Sequence, residues 1–274
     1  KAAKLVKSGD LVEYSPVLSF PLLIDDCLAE RVNELENVIV QDSMAVKEPA
    51  VLKADPTGEH FKFESWFLSS ATRQYCDRGL VTHVPYNLGD SPRIFREILR
   101  DRCDIAFIEV SVMNEKTGYF NFGSGAMYIK ALAEAAKKVV VEVNPSMPWL
   151  YGGYDEVIHI SEVDFVVEND KYPITTAPIA KPSSEDEAIA HHIVELIEDN
   201  SCIQLGVGSL PNAIGRLLVD SDLKNLGIHS EMFNDGMMDL IEKGIITGSS
   251  KFIDRGRAAI TFIFGTRKLY DFAD

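Results

Sequence analysis

"CIQLGVGSLPNAIGRLL", residues 202–218, reads as an apolar strand, a glycine turn and a helix that opens near Pro211. Proline suits a first helical turn, where its missing N–H is not needed. The same strand–turn–helix step recurs in both directions along the chain. Strands are expected at 11–14, 38–40, 81–84, 105–110, 139–143, 157–160, 165–167, 202–207, 227–229 and 258–264. Many are nearly continuous apolar runs, as strands covered on both faces require. Helices are expected at 22–34, 92–100, 124–138 and 184–198. The last carries Ile189, Ile193, Leu196 and Ile197 along one face, with a capping-box spacing at Ser184 and Glu187. This alternation predicts an α/β fold with a mainly parallel sheet and flanking helices. The proline-rich stretch "YPITTAPIAKPSSEDE" (172–187) predicts an irregular connection, dividing the chain into portions 1–180 and 181–274.

The 274 residues are enough for a substantial core, and 46% hydrophobic with 25% charged residues is ordinary globular composition. A formal net charge of −15 argues against nucleic-acid partners and against docking on anionic membranes. An anionic small ligand is still allowed, because backbone dipoles can hold one locally. Cys27, Cys76, Cys103 and Cys202 are widely scattered, with neither disulfide-framework nor zinc spacing, and fit reduced thiols in a cytoplasmic protein. No run reaches membrane-spanning length. No histidine shows metal-ligand spacing, so no metal is expected.

Two stretches carry candidate chemistry. In the first, Gly206 and Gly208 allow close approach of a ligand to the backbone, with free N–H groups at the following helix start. The pattern departs from the dinucleotide fingerprint because Pro211 stands where its third glycine belongs, and no Lys-Ser/Thr pair follows for a phosphate loop. Alone it is compatible with a plain tight connection. The second is "LGIHSEMFNDG", residues 226–236. Strand alternation sends His229 and Glu231 to one side and Ser230 to the other, which rules out a triad of these three neighbours. "NDG" signals a turn, with a helix over 237–243 stopping at Gly244. Glu231 thus falls at a strand's carboxyl end, where open α/β sheets bind ligands. Among Ile228, Met232 and Phe233 an ionised carboxylate is expected to be partly desolvated. It serves either as an ion-pair partner of Arg216 or Arg255, or as a nucleophile or base. If its strand lies beside that of the glycine turn, the two share one crevice.

Taken together, "LGVGSLPNAI" and "LGIHSEMFNDGMMDLIEKGIITG" resemble the acetyl-CoA hydrolase/transferase family, in particular its 4-hydroxybutyrate and butyrate-type CoA-transferases. "SVMNEKTGYFNFGSG", "VVVEVNPSMPWLYG" and "AAITFIFGTRKLYDFAD" are similar to it in the same order. The resemblance implies α/β domains of the CoA-transferase (NagB/RpiA-like) type, with coenzyme A as substrate and no metal or redox cofactor. It places the nucleophile on Glu231 and the CoA-contacting turn on Gly206, Val207, Gly208, Ser209 and Leu210. Asn121, Asn144, Met147 and Met232 are further candidates for the substrate pocket. The implied reaction moves CoA between short-chain carboxylic acids through a glutamyl-CoA thioester. Hydrolysis of acyl-CoA by the same glutamate is the near alternative; a nucleotide-binding or non-catalytic α/β module is the distant one. Family members continue into a C-terminal domain with a G-G-Q-x-D-F type loop that does not occur here. Residues 181–274 are therefore expected to finish the N-terminal domain and end at that junction. Homo-oligomerisation is implied by the likeness alone.

Overall fold

A computed structural model describes residues 1–177 and 181–274 and falls into two compact units, Lys1–Thr175 and Thr176–Asp274. The division lies close to the expected boundary at 180/181, which itself falls outside the described residues together with the middle of the proline-rich connection.

Unit 1 is built on seven parallel strands: β1 (Leu11–Tyr14), β2 (Val38–Asp42), β3 (Phe61–Ser65), β4 (Val81–His83), β5 (Ile105–Val110), β7 (Val139–Val143) and β9 (Phe165–Glu168). Their order across the sheet is β4-β3-β2-β1-β5-β7-β9. A separate antiparallel pair joins β6 (Tyr119–Asn121) to β8 (Val157–His159). The crossovers carry α1 (Leu22–Ala29), α2 (Ala50–Ala54), α3 (Ser70–Cys76), α4 (Ser91–Arg93) and α5 (Ile129–Ala135). The central strands show why parallel sheets demand apolar runs. Every residue of β5 is buried, and in β7 only Val143 is partly exposed. β3 was not expected: in "FKFES" the phenylalanines are buried and Lys62 is exposed, so its period-2 pattern breaks the apolar run. The expected helix 92–100 is instead one α turn followed by a π turn at 94–98. At the far edge, β9 leaves Phe165 and Val166 nearly half exposed.

Four neighbouring strands each place one carboxyl group in this interior: Asp42 on β2, Glu13 on β1, Glu109 on β5 and Glu142 on β7. Glu109 and Glu142 face each other in register. Glu142 accepts hydrogen bonds from the backbone N–H groups of Leu23 (3.2 Å) and Ile24 (2.8 Å), so a strand carboxylate caps α1. The Asn169 amide donates to Glu142 (2.9 Å), and that of Asn144 donates to Glu109 (2.8 Å). On α1, buried Asp25 accepts from Tyr14 and from the first N–H groups of α2. Burial pushes Asp25, Asp42 and Glu142 each up to about 7. It drives Glu13 and Glu109 well above the carboxylate range, and the Glu142 charge adds to the effect on Glu109.

Unit 2 contains α6 (Ser184–Val194), β10 (Cys202–Ile203), α7 (Ser209–Val219), β11 (Gly227–Ile228), β12 (Met232–Phe233), α8 (Asp235–Glu242), β13 (Phe262–Ile263) and α9 (Arg267–Ala273). β10 pairs with β11, and β12 with β13, all in parallel. The capping box of α6 lies one residue earlier than expected, at Ser183 and Asp186. The expected apolar face of that helix is covered only in part: Ile193 and Ile197 are half-buried, Ile189 and Leu196 are exposed, and Ala190 is the buried residue of α6. "NDG" opens α8 rather than forming a free turn, because the Asn234 side chain accepts the Met237 N–H at 3.0 Å. Gly244, at φ +74°, closes α8 as expected.

Candidate active site

The stretch 226–233 is the middle of unit 2. On one side it runs parallel to β10, in the register Cys202 to Gly227 and Ile203 to Ile228. The His229 N–H continues that ladder to the Ile203 carbonyl at 3.3 Å. The Ser230 hydroxyl reaches the Leu205 carbonyl at 3.5 Å, where the neighbouring chain leaves for the glycine turn. On its other side it runs parallel to 259–263. The Ser230 N–H donates to Ala259 (2.9 Å), and the Glu231 carbonyl accepts from Thr261 (2.9 Å) and Phe262 (3.2 Å). The glycine turn and Glu231 therefore sit on adjacent parallel segments at the same end, as the sequence reading required.

Alternation is as expected: His229 and Glu231 are exposed, while Ser230 and Met232 are buried. This corrects the environment of Glu231. Its backbone is fixed by two hydrogen bonds, but the side chain stands in solvent rather than among Ile228, Met232 and Phe233. The ion pairs considered for it are not formed. Arg216 lies 3.2 Å from Glu187, and the Arg255 side chain donates to the Ser249 carbonyl at 2.6 Å. Among the described residues, no side-chain hydrogen bond or ion pair engages the Glu231 carboxylate.

Behind the strand, on the Met232 side, lies a cavity of about 270 Å³. The glycine turn forms one wall (Gly206, Val207, Gly208), and Asn234 to Gly236 at the start of α8 form another. Lys181 and Arg216 bring positive charge to its lining, and Asp235 and Asp239 bring negative charge. Glu231 is not part of this wall, so the turn borders the cavity on one face and the glutamate strand at its edge. Gly208 has φ +132° and ψ −179°, a conformation essentially reserved for glycine. α7 starts at Ser209, which puts Pro211 in its first turn as expected, and Ser209 and Leu210 supply its first N–H groups. The Asp235 carboxylate accepts from the Thr266 N–H (3.1 Å) and hydroxyl, tying α8 to the start of α9.

The remaining pocket candidates belong to unit 1, where their polar groups close loops. The Asn121 side chain donates to the Leu150 carbonyl (2.7 Å) and accepts from Gly123 and Leu150. Besides Glu109, the Asn144 side chain engages Ser146 and the Tyr172 carbonyl. The Met147 sulfur accepts from the Ser124 N–H at 3.3 Å. The row of buried acids and the buried Lys251 were missed. The acids do leave a signal: Glu109 and Glu142 are the lone charges in "IAFIEV" and "VVVEV". No group of three His, Cys, Asp or Glu is placed to hold a metal among the described residues, and no helix among them is long and apolar enough to cross a membrane.

The profile of the acetyl-CoA hydrolase/transferase N-terminal domain matches residues 1–178. The chain belongs to the acetyl-CoA hydrolase/transferase family. Among curated relatives, butyryl-CoA:acetate CoA-transferase of Anaerostipes caccae is 38% identical over 273 residues, covering 99% of this chain and 61% of the relative. The chain thus spans about three fifths of that protein's length. Among solved structures, RipA from Yersinia pestis matches with a TM-score of 0.88 and 31% identity, over 100% of this chain and 64% of RipA. The 4-hydroxybutyrate CoA-transferase from Porphyromonas gingivalis matches with a TM-score of 0.77 and 30% identity, over 100% and 63%. Members of the family thus share the mainly parallel α/β architecture read from the sequence. Glu231 and the glycine turn lie beyond the residues matched by the N-terminal profile.

Proposed function

We propose that the full-length protein is a CoA-transferase exchanging CoA between short-chain carboxylic acids, such as acetate and butyrate or 4-hydroxybutyrate. The observation that carries this reading is a carboxylate on a fixed backbone, without a side-chain partner among the described residues, at the carboxyl end of a strand beside a glycine turn that leads into the N-terminus of α7. In the "HSEM" context Glu231 is the nucleophile. Its oxygen attacks the acyl-CoA carbonyl and expels CoA thiolate, leaving an acyl-glutamyl anhydride. The thiolate then attacks the glutamyl carbonyl, releasing the first acid and forming a glutamyl-CoA thioester. The second acid reverses these steps and leaves as its CoA ester. The difficult transfer is divided into easier ones.

Gly206, Val207, Gly208, Ser209 and Leu210 hold CoA through backbone donors, and Met232 lines the pocket behind them. Asn121, Asn144 and Met147 act by shaping their loops. A C-terminal domain of the same protein supplies the rest of the site and keeps water from Glu231. We place the reaction in the cytoplasm, in keeping with four free cysteines, and the enzyme in a homo-oligomer, on family likeness alone.

Incubating the full-length protein with butyryl-CoA and then borohydride should reduce the thioester to an alcohol located on Glu231 by peptide mass spectrometry. Turnover without a mark there would assign the chemistry to another group. Solvent exposure of Glu231 favours hydrolysis as the second reading, and release of CoA without any acceptor acid would establish it. The turn has its own test. Alanine at Gly208 costs about 1–3 kcal/mol of backbone strain. Gly208→Ala is expected to raise KM for acyl-CoA about tenfold; an unchanged KM in steady-state kinetics would remove the turn from the CoA site.

A further inference from the structure

Residues 248–256 form a closed loop outside the site described above. The Gly256 N–H donates to the Gly248 carbonyl at 2.9 Å, and Phe252 and Ile253 at the loop's tip are exposed. Between these features Lys251 turns inward and is only 9% exposed. Its side chain passes over Gly227 so closely that a Cβ there would lie 2.6 Å from Lys251 Cγ. Its ammonium donates to the carbonyls of Ile228 and Arg257, each at 2.7 Å. No carboxylate pairs with it among the described residues. A buried ammonium held only by neutral carbonyls is costly, so packing alone does not account for a lysine here.

The two carbonyls identify what it does. Ile228 precedes His229 and Arg257 precedes Ala258, so the ammonium bridges two parallel segments just where their ladder begins at the His229–Ala259 bridge. The Ile228 carbonyl also takes the Ala259 N–H at 3.2 Å. Three residues further, the same ladder fixes the Glu231 carbonyl. We infer that Lys251 is a positioning residue for Glu231. It clamps the two segments at their entry and sets where the glutamate backbone lies, without touching substrate. The inference rests on the reading of Glu231 as nucleophile. Gly227 belongs to the same device, because only a residue without a side chain leaves room for the lysine stem.

The test uses the full-length protein with butyryl-CoA and the Glu231 adduct as readout. Lys251→Met keeps the stem and removes the ammonium. Gly227→Ala keeps the ammonium and displaces the stem. Both are expected to slow adduct formation at saturating butyryl-CoA about 100-fold, the scale of a 1 Å misplacement, with the dissociation constant for CoA within threefold of the parent. Adduct formation within threefold of the parent in a folded variant would overturn the inference. So would loss of CoA binding in parallel with adduct formation, which would mark Lys251 as merely structural. If Lys251→Met does not fold, Gly227→Ala decides on the same criteria. Absence of any adduct in the parent protein would instead sink the Glu231 reading, which keeps the two failures apart.

Discussion

Glu231→Gln in the full-length protein is expected to lower CoA transfer by about 10⁴-fold or more, the scale on which loss of a covalent nucleophile acts. The amide matches the carboxylate in shape but cannot attack a thioester as an anion. Because the side chain is exposed and unpaired among the described residues, the change should leave the unfolding free energy within about 0.5 kcal/mol of the parent. This combination separates the catalytic role from the ion-pair role once considered for Glu231. A structural partner would cost stability first and activity through it. Glu231→Asp sharpens the test: it keeps the anion and draws it back by one methylene. The expected loss is about 100-fold in the rate of the borohydride-trapped adduct. Retention of transfer by the glutamine variant would refute the mechanism.

Unit 1 is expected to be more stable at pH 5.5 than at pH 8, the direction in which relief of self-repulsion at a net charge of −15 also acts. Asp25, Asp42 and Glu142 are each pushed by burial to about 7. Their unfolded values lie near 4. Between these limits the folded chain holds protons that the unfolded chain has released. The resulting stabilisation is complete below about pH 4 and is lost as pH rises through 7. Asp26, Asp55, Asp104 and Glu162, lowered by their hydrogen bonds despite partial burial, act in the opposite sense but only below about pH 4. From pH 5.5 to 8 a single raised group contributes about 2 kcal/mol, or about 4–8 °C in the melting temperature of a domain of this size. Both tryptophans, Trp66 and Trp149, lie in unit 1, so their fluorescence follows this unit selectively. Asp42→Asn should reduce the pH dependence while changing stability little at pH 5.5, because the amide oxygen can keep the bond from the Ala45 N–H (2.7 Å) and the other Asp42 oxygen accepts none among the described residues. A midpoint that is equal or higher at pH 8 would show that the acids are ionised in the fold.

How much of this was legible depended on how local the signal was. β5 and β7 were read to the residue because five or six consecutive apolar-rich positions need no context. β3 was not, because "FKFES" declares itself only once neighbouring strands cover its phenylalanines. Glu231 and the glycine turn could be placed at strand ends from sequence, but the side facing water could not. That depends on what covers the strand, and among the described residues nothing buries the carboxylate. The apolar line on α6 misled in the same way, since periodicity shows that a face is apolar and not what lies against it. Lys251 was invisible because its partners are backbone carbonyls, which no side-chain pattern reports.

The open edge at β9 has a practical consequence. Unpaired strand edges bearing apolar side chains recruit further strands; among the described residues β9 is such an edge, with Phe165 and Val166 exposed on it. Mutual repulsion between negatively charged molecules holds such edges apart at neutral pH. That repulsion vanishes near the isoelectric point of about 4.8. The buried acids favour a mildly acidic solution while colloidal stability favours an alkaline one. Storage conditions for the protein must therefore be chosen between two opposing slopes, and a lysine at Val166 is the substitution that would relax the conflict.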